Sequence, residues 1–110
     1  LSGHGPLQAD GEYVRGRVED VASGARAARQ VGLAVLATLR AELGPLNEVV
    51  QVVKVLGMVN GEAGVDQIGV INGFSEVMRD VFGPEAGVGA RSAVGVASLP
   101  FDIPVNDQAV

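Results

Sequence analysis

The sequence predicts an α+β fold, in which two helices pack on one face of a mixed β-sheet. Two segments carry apolar residues at three- and four-residue steps, and a Gly-Pro pair follows each of them. A nearly continuous apolar run lies between these segments, and a segment that alternates small and branched residues follows the second. The predicted order is therefore strand, strand, helix, strand, helix, strand, strand.

The first elements are a short hairpin and a long helix. Residues 7–18 predict the hairpin, because the Asp-Gly pair at 10–11 favours a tight turn and the residues beyond it alternate polar with apolar. From Asp20 the apolar period changes to about 3.6 residues, which predicts an amphipathic helix. The Gly-Pro pair at 44–45 should end this helix, because glycine suits the C-cap and proline cannot continue the helix.

The later elements alternate strand and helix. The apolar run at residues 49–59 is typical of a central strand that is covered on both faces. Residues 70–82 predict the second helix, and residues 90–99 predict a strand with one face of small side chains. A last strand is expected at residues 103–110, where Pro104 would confine its start to a sheet edge.

Composition limits the class of protein. A chain of 110 residues fits one domain, spanning residues 1–110, and the absence of cysteine excludes disulfides and Cys-based zinc sites. No run approaches the ~18 uncharged apolar residues of a membrane span, so we predict a cytoplasmic protein without a membrane partner. The net charge of −5 argues against nucleic acid as a partner. Because the chain starts at Leu1 and enters a Gly-rich motif at once, we expect an N-terminal segment to be missing.

Arg91 is the candidate binding residue. It is a lone guanidinium in a segment of Ala, Ser, Val and Gly, and its forked donors match a carboxylate. The small residues Ala93 and Gly95 would leave space for a ligand. The alternative is an arginine that points to water or pairs with a surface acid.

Two other features have a structural and a functional interpretation. Asn72 and Gly73 are poor helix residues inside the second helical pattern. Asn72 would be the N-cap of a helix that begins there, or it would turn its amide towards a pocket while Gly73 admits another backbone. His4 is the only histidine, and we interpret it as structural. The sequence has no second histidine, nucleophile elbow, dinucleotide-binding glycine motif or P-loop, so we expect neither a metal nor a cofactor.

Six segments, read in order, resemble the RidA/YjgF family, which is also known as endoribonuclease L-PSP-like. They lie at residues 2–6, 52–55, 70–73, 81–83, 90–96 and 99–100. The resemblance covers almost the whole chain. It implies a chorismate-mutase-like fold and a homotrimer with three clefts between subunits. It also implies hydrolysis of 2-imino acids to 2-keto acids and ammonia without a metal or cofactor.

The resemblance assigns roles to individual residues. Arg91 would hold the carboxylate of a small substrate, Ala93 would contribute backbone contacts, and Gly3 and Asn72 would line the cleft. Asn106 stands where deaminating members carry a glutamate that positions the attacking water.

Three departures open an alternative function. An amide at Asn106 can orient a water but cannot take its proton, and Asp107 should point to the opposite face of the strand. The N-terminal aromatic residue that deaminating members use has no counterpart here, and Gly89 stands where many relatives have a bulkier residue. A non-catalytic trimer that binds small carboxylates such as 2-keto acids is therefore the alternative. RNA cleavage, reported for some relatives, is disfavoured by the acidic charge balance.

Overall fold

A computed structural model describes residues 1–110 and contains a three-stranded mixed sheet with two long helices on one face. In chain order, the elements are α1 (Val21–Leu43), β1 (Lys54–Val59), α2 (Gln67–Ala86), β2 (Ala90–Gly95) and β3 (Val105–Ala109). The strand order is β2-β1-β3, with β1 parallel to β2 and antiparallel to β3. The predicted α+β class, with both helices on one face, is confirmed.

The helix α1 begins and ends where the sequence predicts. The carboxylate of Asp20 caps its N-terminus by accepting a hydrogen bond from the Ser23 backbone N–H at 2.8 Å. Gly44 ends it with a φ of 80°, a conformation that glycine adopts without a steric penalty.

The helix α2 begins three residues before the predicted position. Its N-cap is Asp66, which accepts a hydrogen bond from the Gly69 backbone N–H at 3.1 Å, so Asn72 is not the N-cap. Gly73 lies where the two helices meet, because a Cβ atom at this position would collide with the carbonyl of Ala25. Gly83, with a φ of 89°, interrupts the helix, and one further turn follows it.

The central strand is shorter than predicted. Only Lys54–Val59 pairs as β1, because β2 begins opposite Lys54 and residues 49–53 have no strand beside them in the sheet. Alternate residues of β1 face the helices and are buried, whereas Leu56 and Met58 on the other face are half-buried. Within one chain, the expected burial on both faces is therefore wrong for this strand.

The other predicted strands are also shorter than expected. The hairpin at residues 7–18 is reduced to one bridge between Leu7 and Tyr13, and β2 ends at Gly95. The last strand follows Pro104 at the edge of the sheet, as predicted. Residues from the N-terminal segment lie beside β3, through a bridge between His4 and Asp107.

The core between the helices and the sheet is aliphatic. Its largest fully buried apolar side chains are Phe74 and Ile71, and its remaining members are mostly Val and Ala. Neither helix combines the length and the hydrophobicity that crossing a membrane requires.

Candidate functional site

Arg91 lies on the helix-facing side of the sheet, beside α2. The strand register places it level with Val55 of β1, whose side chain is buried under the helices. Its guanidinium is partly buried and donates one hydrogen bond, from Nη1 to the Ser75 hydroxyl of α2 at 2.9 Å. No acidic side chain lies within ion-pairing distance of it, since the one salt bridge of the chain joins Arg17 and Glu62.

A cavity of about 370 Å³ opens between α2 and the starts of β1 and β2, and Arg91 lines it. Polar side chains from one face of α2 form one wall, because residues three and four apart in a helix share a face. These side chains are Asn72, Ser75, Glu76 and Arg79. Apolar side chains form much of the remaining wall, and they are Val52, Val55, Phe74 and Met78. The cavity thus has a polar side, which includes two guanidinium groups, and an apolar side.

Two glycines close the rim of this cavity. A Cβ atom at Gly87 would collide with the carbonyl of Met78, and one at Gly89 would collide with the carbonyl of Val52. The loop that joins α2 to β2 can therefore lie directly on the backbone beneath it. Glycine at position 89 serves this close approach.

The residues that the sequence predicted for the site form two groups in one chain. Asn72 and Arg91 line the cavity together. Ala93 is half-buried on the same face of the sheet as Arg91, where it packs against the core. Asn106 and Gly3 form the second group. Asn106 pairs with Met58 and so lies on the opposite face of the sheet. Gly3 lies against it, since a Cβ atom at Gly3 would be 2.5 Å from the Asn106 Oδ1.

Asp107 is a buried acid that the sequence interpretation did not place near the site. It points to the opposite face from Asn106, as expected, and that face is the one that carries Arg91. The side chain is 0% exposed, and neither carboxyl oxygen has a hydrogen-bond partner. Burial raises the pKa of Asp107 to about 8, although the positive charge of Arg91 acts in the opposite direction. The sequence signal for a buried acid was the two-residue spacing along the last strand. Asp107 shares a strand face with the apolar residues Val105 and Ala109, which are buried in the structure.

Both ring nitrogens of His4 are engaged. Nδ1 lies 2.9 Å from the Ser2 carbonyl, which can only accept, so Nδ1 carries the proton of this hydrogen bond. Nε2 lies 2.9 Å from the Thr38 hydroxyl of α1. His4 thus ties the N-terminal segment to α1, which agrees with its interpretation as structural. No group of three or more His, Cys, Asp or Glu side chains lies together where it could hold a metal ion.

Comparison with known proteins gives one curated relative and many similar structures. The chain is 43% identical, over 91 residues, to Protein TCP17 of Trypanosoma cruzi; the match covers 82% of this chain and 57% of that protein. The chain therefore spans less than two thirds of the length of this relative. No family model matches the sequence.

Two solved structures show how far the likeness extends. The protein Atu1372 of Agrobacterium tumefaciens, whose function is unknown, is 40% identical with a TM-score of 0.92, over 99% of this chain and 71% of that one. YyfB of Yersinia pestis, a protein of unknown function from the conserved Rid protein family, is 20% identical with a TM-score of 0.66. That match covers 99% of this chain and 73% of YyfB, and at this identity it shows a shared fold.

Proposed function

Because the chain belongs to the RidA/YjgF family, we propose that it hydrolyses reactive 2-imino and enamine acids to 2-keto acids and ammonia. The proposed site is a cleft between the subunits of a homotrimer. The observation that carries the proposal is the guanidinium of Arg91 at the wall of a cavity that also contains the Asn72 amide.

The environment of Arg91 suits a carboxylate ligand. A guanidinium has five N–H donors, and the hydrogen bond to the Ser75 hydroxyl uses only one of them, on Nη1. No protein carboxylate lies within ion-pairing distance of Arg91, so a ligand carboxylate can accept two parallel hydrogen bonds from the remaining donors.

The reaction needs little more than positioning. A protonated imine is electrophilic at C2, so a water held against that carbon adds to it. A proton then moves to the nitrogen, and the C–N bond breaks to give the 2-keto acid and ammonia. In this mechanism the acceleration comes from two effects. Arg91 fixes the substrate carboxylate, and the site stabilises the charge that develops on the reacting atoms in the transition state.

In this proposal, Asn106 of a second copy orients the water. Arg91 and Asn106 lie on opposite faces of the sheet in one chain, so they can share a cleft only across a subunit boundary. Sedimentation velocity should therefore give a trimer. A stable monomer that hydrolyses imine at the full rate would contradict the intersubunit site.

The activity can be measured with freshly generated 2-iminopropanoate, by trapping the imine that remains at successive times. We expect the protein to accelerate its decay, and Arg91→Ala to return the decay to the buffer rate. Arg29→Ala is the matched control, because Arg29 is exposed on α1 and does not line the cavity. Equal rates for the wild type and Arg91→Ala would reject the proposal.

The second candidate is a non-catalytic trimer that binds small carboxylates such as 2-keto acids. The residue that favours it is Asn106, because an amide cannot accept the proton of an attacking water. The variant Asn106→Glu separates the two candidates. A binder should gain hydrolytic activity from the new carboxylate, whereas an enzyme that already works with an amide should change little.

A further inference from the structure

The polar side of the Arg91 cavity carries two charges that the proposed carboxylate site does not use. Arg79 and Glu76 line the cavity together with Arg91, and both are exposed on α2. The one salt bridge of the chain joins Arg17 and Glu62, so neither of these side chains is ion-paired with the other or with Arg91. The cavity therefore presents two positive charges and one negative charge to a ligand.

These three charges follow one another along α2. The Arg91 guanidinium lies 2.9 Å from the Ser75 hydroxyl, so it meets the helix at the level of Ser75. Glu76 is the next residue of the helix. Arg79 lies four residues after Ser75, on the same face and about 6 Å further along the helix axis. The order along the polar side of the cavity is thus positive, negative, positive.

We propose that this cavity selects 2-imino acids that carry a second carboxylate at the end of the side chain. Arg91 holds the carboxylate at C1, Arg79 binds the second carboxylate, and Glu76 faces the iminium group between them. The occupant follows from the charges, because a protonated 2-imino dicarboxylic acid carries a negative, a positive and a negative charge in the complementary order. This inference rests on the proposed function and adds to it the class of side chain.

The rest of the cavity suits a ligand of this kind. Its volume of about 370 Å³ lies within the usual range for small-molecule sites. Its apolar side, which includes Val52, Val55 and Met78, can cover the methylene groups between the two carboxylates. The chain as a whole has a net charge of −5 and repels a dianion, so a preference for a second carboxylate has to come from groups in the cavity.

The test compares two 2-keto acids that differ only at the end of the side chain. 2-Oxoglutarate ends in a carboxylate, and 2-oxopentanoate ends in a methyl group. Isothermal titration calorimetry with the full chain gives the ratio of their affinities. We expect the wild type to bind 2-oxoglutarate about two- to fivefold more tightly at low salt, a modest ratio because exposed charge pairs are weakened by solvent. Added NaCl should reduce this ratio, because salt screens exposed charges.

Variants assign the preference to single side chains. Arg79→Gln removes the second guanidinium and should lower the ratio to about one. Arg29→Gln is the matched control, since it removes the same charge from an exposed position of α1 that does not line the cavity. Glu76→Gln should strengthen binding of 2-oxoglutarate, which has no positive charge at C2. The same variant should weaken binding of glutamate, whose ammonium group stands in for the iminium.

The outcomes separate this inference from the proposed function. Equal affinities for the two keto acids, with both lost in Arg91→Ala, would overturn the second carboxylate site alone. A preference that Arg79→Gln and Arg29→Gln reduce equally would do the same, because it would reflect only the overall charge. Shifts of 2-oxoglutarate and glutamate binding in the same direction in Glu76→Gln would overturn the position of the iminium. If neither keto acid binds, or if Arg91→Ala binds both as well as the wild type does, the carboxylate site fails and the second site fails with it.

Discussion

Asp107 should make the stability of the folded chain fall as the pH rises. Its pKa is about 8 in the folded chain, against 3.8 for an ordinary aspartate. Between these values the unfolded chain has lost a proton that the folded chain keeps, so unfolding releases a proton. The free energy of unfolding then decreases by about 1.4 kcal/mol for each pH unit in this window.

The size of this effect is large for one side chain. Across the window the loss from Asp107 is on the order of 6 kcal/mol, and it is complete above the folded pKa. Domains are commonly stable by only about 5–15 kcal/mol. Below the ordinary pKa the carboxyl is protonated in both states and has no such effect.

The variant Asp107→Asn tests this reasoning, because the amide has nearly the same shape and does not ionise. Urea unfolding, followed by circular dichroism at one protein concentration, gives the free energy of unfolding at about pH 4.5, 6.0 and 7.5. We expect the two proteins to be similar at the lowest pH and the variant to be increasingly more stable above it. Asp80→Asn, on an exposed position of α2, is the control and should show no such trend.

The difference between the wild type and Asp107→Asn isolates one group, because other titrations cancel in it. A difference that stays constant from pH 4.5 to 7.5 would show that Asp107 ionises in the folded chain with an ordinary pKa. The reasoning from its burial and unpartnered oxygens would then be refuted.

Two further substitutions test single contacts. Gly73→Ala should destabilise the fold by about 1–3 kcal/mol, because the added methyl group collides with the Ala25 carbonyl and separates the helices; urea unfolding measures this change. Ser75→Ala removes the hydrogen bond to Arg91 and should weaken pyruvate binding by about two- to tenfold, as about 0.5–1.5 kcal/mol per hydrogen bond implies, with calorimetry as the readout. Unchanged binding would show that Arg91 holds its position without Ser75.

The helices could be predicted because their signals are local. Asp20 and Gly44 lie at the two ends of the segment whose apolar residues repeat with the helical period, and they cap the two ends of α1. The early start of α2 was not predicted, because its cap, Asp66, follows a glycine-rich loop and precedes the repeating apolar pattern that begins at Val70.

Strand limits depend on partners that are distant in the sequence. Residues 49–53 are as apolar as the strand that follows them, but no neighbouring strand extends beside them in the sheet. A pattern of single residues carries no information about where another strand begins. The strand lengths were therefore overestimated, and the two hairpin strands predicted before α1 do not form, whereas the order helix, strand, helix, strand, strand that follows them was correct.

The same dependence on distant partners limited the prediction of the site. Alternation along β3 correctly separates Asn106 from Asp107, but only the register with β1 and β2 shows that Asp107 shares the face of Arg91. This places the Asp107 carboxyl and the Arg91 guanidinium on one side of the sheet, and the Asn106 amide on the other. Within one chain, Arg91 and Asn106 therefore cannot face the same space beside the sheet. In the proposed reaction, a substrate held by Arg91 would therefore meet the Asn106 amide only from a second copy of the chain.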